Sequence, residues 1–208
     1  MGWISKGINL GINNTRAALR IRTSPHRTAL ADLPPGLQSS WGATAPLEYE
    51  GIRTDAFFFV CAAEGLMDFF AAVTSSPGAC ALPSDAADSV WHAWLRWDAA
   101  GLDDFCIKHF GAAVPHIERA GLGAGALLNT FVACRKLEGG PRGRLRLPRL
   151  FGLDARLRMP AGHGYWLYRG DVVYARIGES GHGFGRAEPA GLGDLLNCPV
   201  GGFEQPAC

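Results

Sequence analysis

A chain of 208 residues with 48% hydrophobic and 19% charged side chains is long enough for one well-buried core and has the balance of an ordinary globular protein. Its 20 Lys and Arg against 19 Asp and Glu leave a net charge of +1, so the molecule as a whole has no electrostatic pull toward nucleic acid or anionic membrane. None of the six cysteines forms a CxxC and the N-terminus carries no secretory signal pattern, which together read as free thiols in a reducing cytoplasm.

Residues 1–50 are polar and read as an irregular N-terminal segment, with a short helix near Asn14–Ile21. Pro34-Pro35 and the run LQSSWGAT predict no regular element there. From Thr54 the pattern changes. Asp55 is placed to cap a helix running to about Val73, with Glu64 and Asp68 on one face. This stretch, AFFFVCAAEGLMDFFAAV, has nearly the length of a membrane span. Its two central acids would each cost about 2.5–3.5 kcal/mol at bilayer depth, so a buried helix is expected and a span is not.

Pro83-Ser84-Asp85 marks the next start, with Ser84 or Asp85 as N-cap. The following DSVWHAWLRWD carries an apolar stripe at helical spacing and closes at Ala99-Ala100-Gly101. A second helix over Leu102–Phe110 stops at Gly111, making an αα-hairpin. Another helix is expected over Ala124–Leu137. The period then shortens to two: YWLYRGDVVYARI, residues 165–177, reads as a β-hairpin about Arg169-Gly170-Asp171. The tail from Gly178 reads as loop. The expected fold is therefore mainly α (α+β), with a helical core over 51–140 built on the αα-hairpin. A Gly-rich part over 141–208 carries the small C-terminal β-hairpin in the same domain.

One constellation has the spacing of a metal site. Asp88 and His92 lie four apart on one helix face, Cys106 and His109 three apart on the next, and His116 just beyond Gly111. Folding the two helices antiparallel brings His92, Cys106 and His116 together. Nitrogen and thiolate ligands of this kind suit zinc, with Asp88 as fourth ligand or as the group that orients His92. The plainer alternative is that His92 and Cys106 are helix–helix core residues and His116 caps a helix end.

The segment from Pro83 to His116 also resembles the motif of the glycine-rich domain-containing protein-like family, through Pro83, Asp88, Trp91, His92, Phe105, Cys106, Phe110, Gly111 and His116. Phe69-Phe70 and Pro77-Gly78 fit the approach to that motif, and the likeness covers residues 55–118. Trp94 stands where that pattern often has a second His. The resemblance implies a role in growth or stress responses through RNA or partner binding.

Two other features weigh against each other. Arg142, Arg144 and Arg146, followed by Arg149, would share one face of an extended strand and offer phosphate contacts, or simply guard a strand edge. Glu64 and Asp68 would join Asp88 and His92 in a carboxylate-rich site only with a Glu-x-x-His pair that the chain lacks. The histidines of GHGYW (162–166) and GHGFG (181–185) match no nucleotide loop. The leading expectation is a non-enzymatic cytoplasmic binding protein for an unidentified protein partner, with one structural metal ion. The alternatives are a zinc enzyme using His92, Cys106 and His116, and weak RNA or DNA binding through Arg142–Arg149.

Overall fold

The structure, a computed structural model, describes residues 2–117, 125–139 and 146–192, with side chains from residue 11 onward. Among the described residues it holds seven helices and one three-stranded antiparallel sheet, so the protein is mainly α with a small β part.

The first fifty residues are not irregular. They form α1 (Gly2–Thr23), α2 (Arg27–Ala31) and α3 (Leu37–Glu48), the last built from the very run LQSSWGAT that reads as a breaker. Leu37, Trp41 and Ala45 recur every fourth position on α3 and are wholly buried. Burying one Trp is worth about 4 kcal/mol or more, whereas the Ser, Thr and Gly beside it cost the helix only about 0.5–1 kcal/mol each. Tertiary burial wins over propensity. The Trp41 indole N–H also donates to Ser89 Oγ at 3.0 Å, which ties α3 to the helix that carries the site.

α4 (Ala56–Ser75) begins as expected, with Asp55 accepting from the Phe58 amide at 3.1 Å. It is the hub of the molecule and packs against α1, α2, α5 (Asp85–Phe110), α6 (Ala126–Leu137) and α7 (Leu153–Leu157). By length and composition α4 is apolar enough to cross a membrane, yet 72% of its apolar window is buried against these neighbours. The two acids on it are not on a solvated edge. Glu64 is 2% exposed and takes bonds from Arg20 Nε and Ser24 Oγ, while Asp68 is held by His26 at 2.9 Å and Arg149 at 2.8 Å. This ion network faces α1 and α2, so the joint site of Glu64 and Asp68 with Asp88 and His92 does not form.

α5 is two helical segments joined at Asp98, whose φ of −161° and ψ of 83° leave the helical region. The break falls one residue before the Ala-Ala-Gly expected to close the first segment. The Asp98 carboxylate accepts from the Gly101 amide at 2.9 Å and so caps the second segment. Trp94 and Phe105 then meet edge to face at 4.7 Å between centroids. Eleven residues of straight helix would hold them about 16 Å apart, so the second segment folds back on the first as the expected αα-hairpin. Gly111, at φ 87°, ends it with the left-handed cap.

β1 (His163–Tyr168) and β2 (Asp171–Arg176) pair around Arg169 and Gly170, both at positive φ, in the register Tyr165↔Tyr174. The loop expected after Gly178 contributes a short third strand, β3 (Glu188–Pro189), on the free side of β2. Phe131, Phe151, Tyr165, Val172 and Leu192 form a second, smaller core under the sheet. α7 touches α4, α5 and β1, and so joins the two cores.

Candidate metal centre

Three of the four expected ligands converge. His92 Nε2 lies 3.1 Å from His116 Nε2, and each lies 3.6 Å from an oxygen of Asp88. Asp88 and His92 are adjacent turns of α5, and Gly111 turns the chain so that His116 comes back over them. The His116 ring is seated on Trp91, edge to face at 4.5 Å between centroids. Two ligands on a tetrahedral zinc with bonds of about 2.05 Å sit about 3.3 Å apart. The Nε2–Nε2 separation is close to that value, and each Nε2 faces its own oxygen of Asp88, so the three side chains stand close enough together to hold such an ion. The side chains of His92, Asp88 and His116 remain 21%, 29% and 18% exposed, which leaves one side open to water.

Around the three stands a second layer that the sequence reading missed. Glu48, the last residue of α3, accepts from His92 Nδ1 and also takes Arg96 Nη2 at 2.8 Å. Burial pushes the Glu48 carboxyl up, but Arg96 and His92 outweigh it and hold the group below the ordinary carboxylate range. An ionised Glu48 fixes the N–H on Nδ1 and leaves the Nε2 lone pair aimed at His116 and Asp88, the arrangement that metal-ligating histidines use. Tyr49 donates to Asp88 Oδ2 at 3.2 Å. Burial, then the Asp88 and Glu48 charges, push the Tyr49 hydroxyl up, so it stays a donor. Glu48 and Tyr49 carry no sequence signal because they close α3, a helix that local propensity does not predict.

Cys106 does not join the cluster. It is fully buried, and burial pushes its thiol up to about 12, away from the thiolate a metal needs. Of the expected set His92, Cys106, His116 and Asp88, the structure brings Asp88, His92 and His116 together and leaves Cys106 in the helix–helix core. His109 also turns elsewhere, to Asp32 at 3.1 Å.

A second group, Asp85, Asp154 and His163, has the proximity of a metal site without the capacity for one. Asp154 Oδ1 accepts from Ser84 Oγ at 2.6 Å and the Ala86 amide at 3.0 Å, and Oδ2 from the amides of Asp85 at 3.0 Å and His163 at 2.9 Å. All four acceptor positions of the carboxylate are used. Burial and the Asp85 charge push the Asp154 carboxyl up, against the pull of the His163, Ser84 and Ala86 donors. The group is a clamp on the start of α5. Gly162, ahead of His163, is needed because a Cβ there would sit 2.8 Å from Asp154 Oδ2.

Of the arginine stripe, Arg142 and Arg144 lie outside the described residues, as does the tail beyond residue 192 with Cys198 and Cys208. Arg146 is exposed, but Arg149 is drawn inward to Asp68 and Glu138 and presents no phosphate-binding face.

A family model described as UCP032817-like matches residues 49–177, more than half of the chain. It replaces the likeness to the glycine-rich domain-containing protein-like family, and the growth, stress and RNA-binding roles that came with that likeness fall with it. Neither a curated protein nor a solved structure matches the chain.

Proposed function

Because the chain belongs to the UCP032817-like family, and the span that places it there includes Asp88, His92 and His116, we propose that it binds one divalent transition-metal ion, zinc first, on these three residues. The observation that carries this is the convergence of two imidazole Nε2 atoms and a carboxylate on one point, the two nitrogens 3.1 Å apart, with Glu48 orienting one of the imidazoles. Structural zinc sites are closed by four protein ligands, whereas catalytic ones keep three and an open position. The solvent-facing side of this cluster supports the second kind, and with it a hydrolytic protein. A bound zinc would supply a water acidic enough to ionise near neutral pH. The chain's own part is to hold the two imidazoles and the carboxylate, with Tyr49 steadying Asp88 and Arg96 steadying Glu48.

A second reading, a non-enzymatic interaction protein with the metal as a staple, is favoured by the seating of His116 on Trp91, which already ties the 112–117 segment to α5. The same proposal places the protein in the cytoplasm. The four described cysteines are free thiols, as a reducing compartment requires.

Protein purified without a metal column should carry about one zinc per chain, which His92→Ala and His116→Ala each lose and Cys106→Ala keeps. Glu48→Gln should weaken zinc binding about 10–100-fold while leaving the ligands in place. Zinc-free wild-type protein that also fails to take up added zinc sinks the proposal. Zinc-dependent turnover of 4-nitrophenyl acetate, abolished by a chelator, selects the hydrolytic reading over the staple.

A pH dependence follows from Asp88. Burial raises its carboxyl above the ordinary range, against the pull of His92, His116 and Tyr49. The folded ion-free chain then keeps a proton that the unfolded chain has already released, so this group's contribution to stability falls as pH rises through the raised value. In chelator at about pH 8, Asp88→Asn should melt higher than wild type, with the gap closing as pH falls toward the ordinary carboxylate value of about 4. A lower melting temperature for the variant at the higher pH would contradict this.

A further inference from the structure

A cavity of about 590 Å³ lies between the β1–β2 face, the start of α6 and the chain leading into β3. That is within the roughly 300–1,000 Å³ of small-molecule sites. Leu82, Leu127 and Tyr174 give it an apolar wall, and Tyr165 and Tyr174 stack at 5.8 Å and 30°.

The hydrogen-bonding groups in the wall are unbalanced. Arg176 spends Nη1 on Asp85 at 3.0 Å and on the Ala161 carbonyl at 2.6 Å, leaving Nε and Nη2 without a partner among the described residues. Arg186 makes no hydrogen bond or ion pair among the described residues. His163, 4% exposed, lines the same wall and turns its Nδ1 to Asp85 at 3.3 Å. Against these two guanidinium groups the wall holds, among the described residues, one carboxylate, Glu188, which already accepts from the Tyr174 hydroxyl at 3.3 Å. A guanidinium with its fork free is the side chain best shaped for a planar oxyanion.

We propose that this cavity binds a flat small molecule bearing an oxyanion, its apolar body against Tyr174 and Leu127 and its charge on Arg186 and Arg176. The site is separate from Asp88, His92 and His116 and does not depend on a metal there. A carboxylate and a phosphate monoester offer the same oxygens to the two guanidinium groups, so the source is a matter for the test.

The full chain, stripped with chelator so that the metal proposal plays no part, would be titrated calorimetrically with 2-naphthoate, 2-naphthyl phosphate and the neutral 2-naphthamide. At least one anion should bind about tenfold or more tightly than the amide, the effect expected of a charge-assisted bond, and the tighter anion identifies the source. Arg186→Gln, at an exposed position, should bring that anion down to the level of the amide with the melting temperature unchanged. Leu82→Trp, which fills the cavity, should abolish binding of all three. Failure of both anions to bind at millimolar concentration, or an Arg186→Gln protein that binds them as wild type does, overturns the proposal.

Discussion

Asp154→Ala is expected to remove about 5 kcal/mol of stability, on the order of half of what a domain of this size possesses. The carboxylate is 1% exposed and answers four donors drawn from two places in the chain: Ser84 with the amides that open α5, and the amide that opens β1. Its loss leaves the amides of Ala86 and His163 in the interior with no acceptor, at about 1–3 kcal/mol each, and removes the anion that complements the N-terminal dipole of α5. Asp154→Asn should fare little better, because its NH2 turns one acceptor into a donor that faces other donors. Ser84→Ala is the scale bar. It should cost only about 1 kcal/mol, the usual loss for an N-cap, since Asp154 still serves the remaining donors. Urea unfolding of the three variants measures the ladder, and an Asp154→Ala loss no larger than that of Ser84→Ala would refute the clamp.

The second large effect is at the fold-back of α5. Trp94→Ala should cost about 3–5 kcal/mol and, beyond that, lower zinc uptake. Trp94 is fully buried and packs on Phe105, and the segment it pins is the one that ends at Gly111 and returns His116 to His92. Trp94→Phe separates the two roles of the indole. Its N–H is buried without an acceptor among the described residues, so phenylalanine gives up some packing but also removes an unpaired donor. The Phe variant should lose about 1.5 kcal/mol or less and keep full zinc binding. Equal destabilisation by the two substitutions would mean that the indole nitrogen has a role the packing does not account for.

Local chemistry was legible in the sequence wherever it sufficed to decide the structure. Asp55 and Ser84 announce helix starts because each caps an amide three residues on, and Gly111 announces a stop because only glycine takes its φ cheaply. The αα-hairpin and the pairing of Asp88 with His92 follow from the same short-range rules. What stayed hidden depends on partners far along the chain. α3 exists because Trp41 is buried against Phe58 and Phe59, which no window around LQSSWGAT contains. Glu48 reaches His92 across 44 positions and Asp154 reaches Ser84 across 70, so neither the orienting acid nor the clamp has a signature of spacing. Cys106 misled for the opposite reason. Helical spacing put it beside a histidine, but spacing does not record which face the core takes, and the core took the thiol.

The position of α4 at the hub also sets how the molecule is made. On the ribosome, α1 and α2 emerge before this helix, but α5, α6 and α7, which cover its other sides, follow it. At roughly 5–20 residues per second, the stretch from the end of α4 to the end of α7 takes about 4–16 s to synthesise. For that interval a twenty-residue apolar helix stands half clothed on the nascent chain. That is when trigger-type chaperones have the most to hold and when neighbouring chains on a polysome are most prone to stick, so slow decoding between α4 and α7 should lower the yield of folded protein without changing the protein itself.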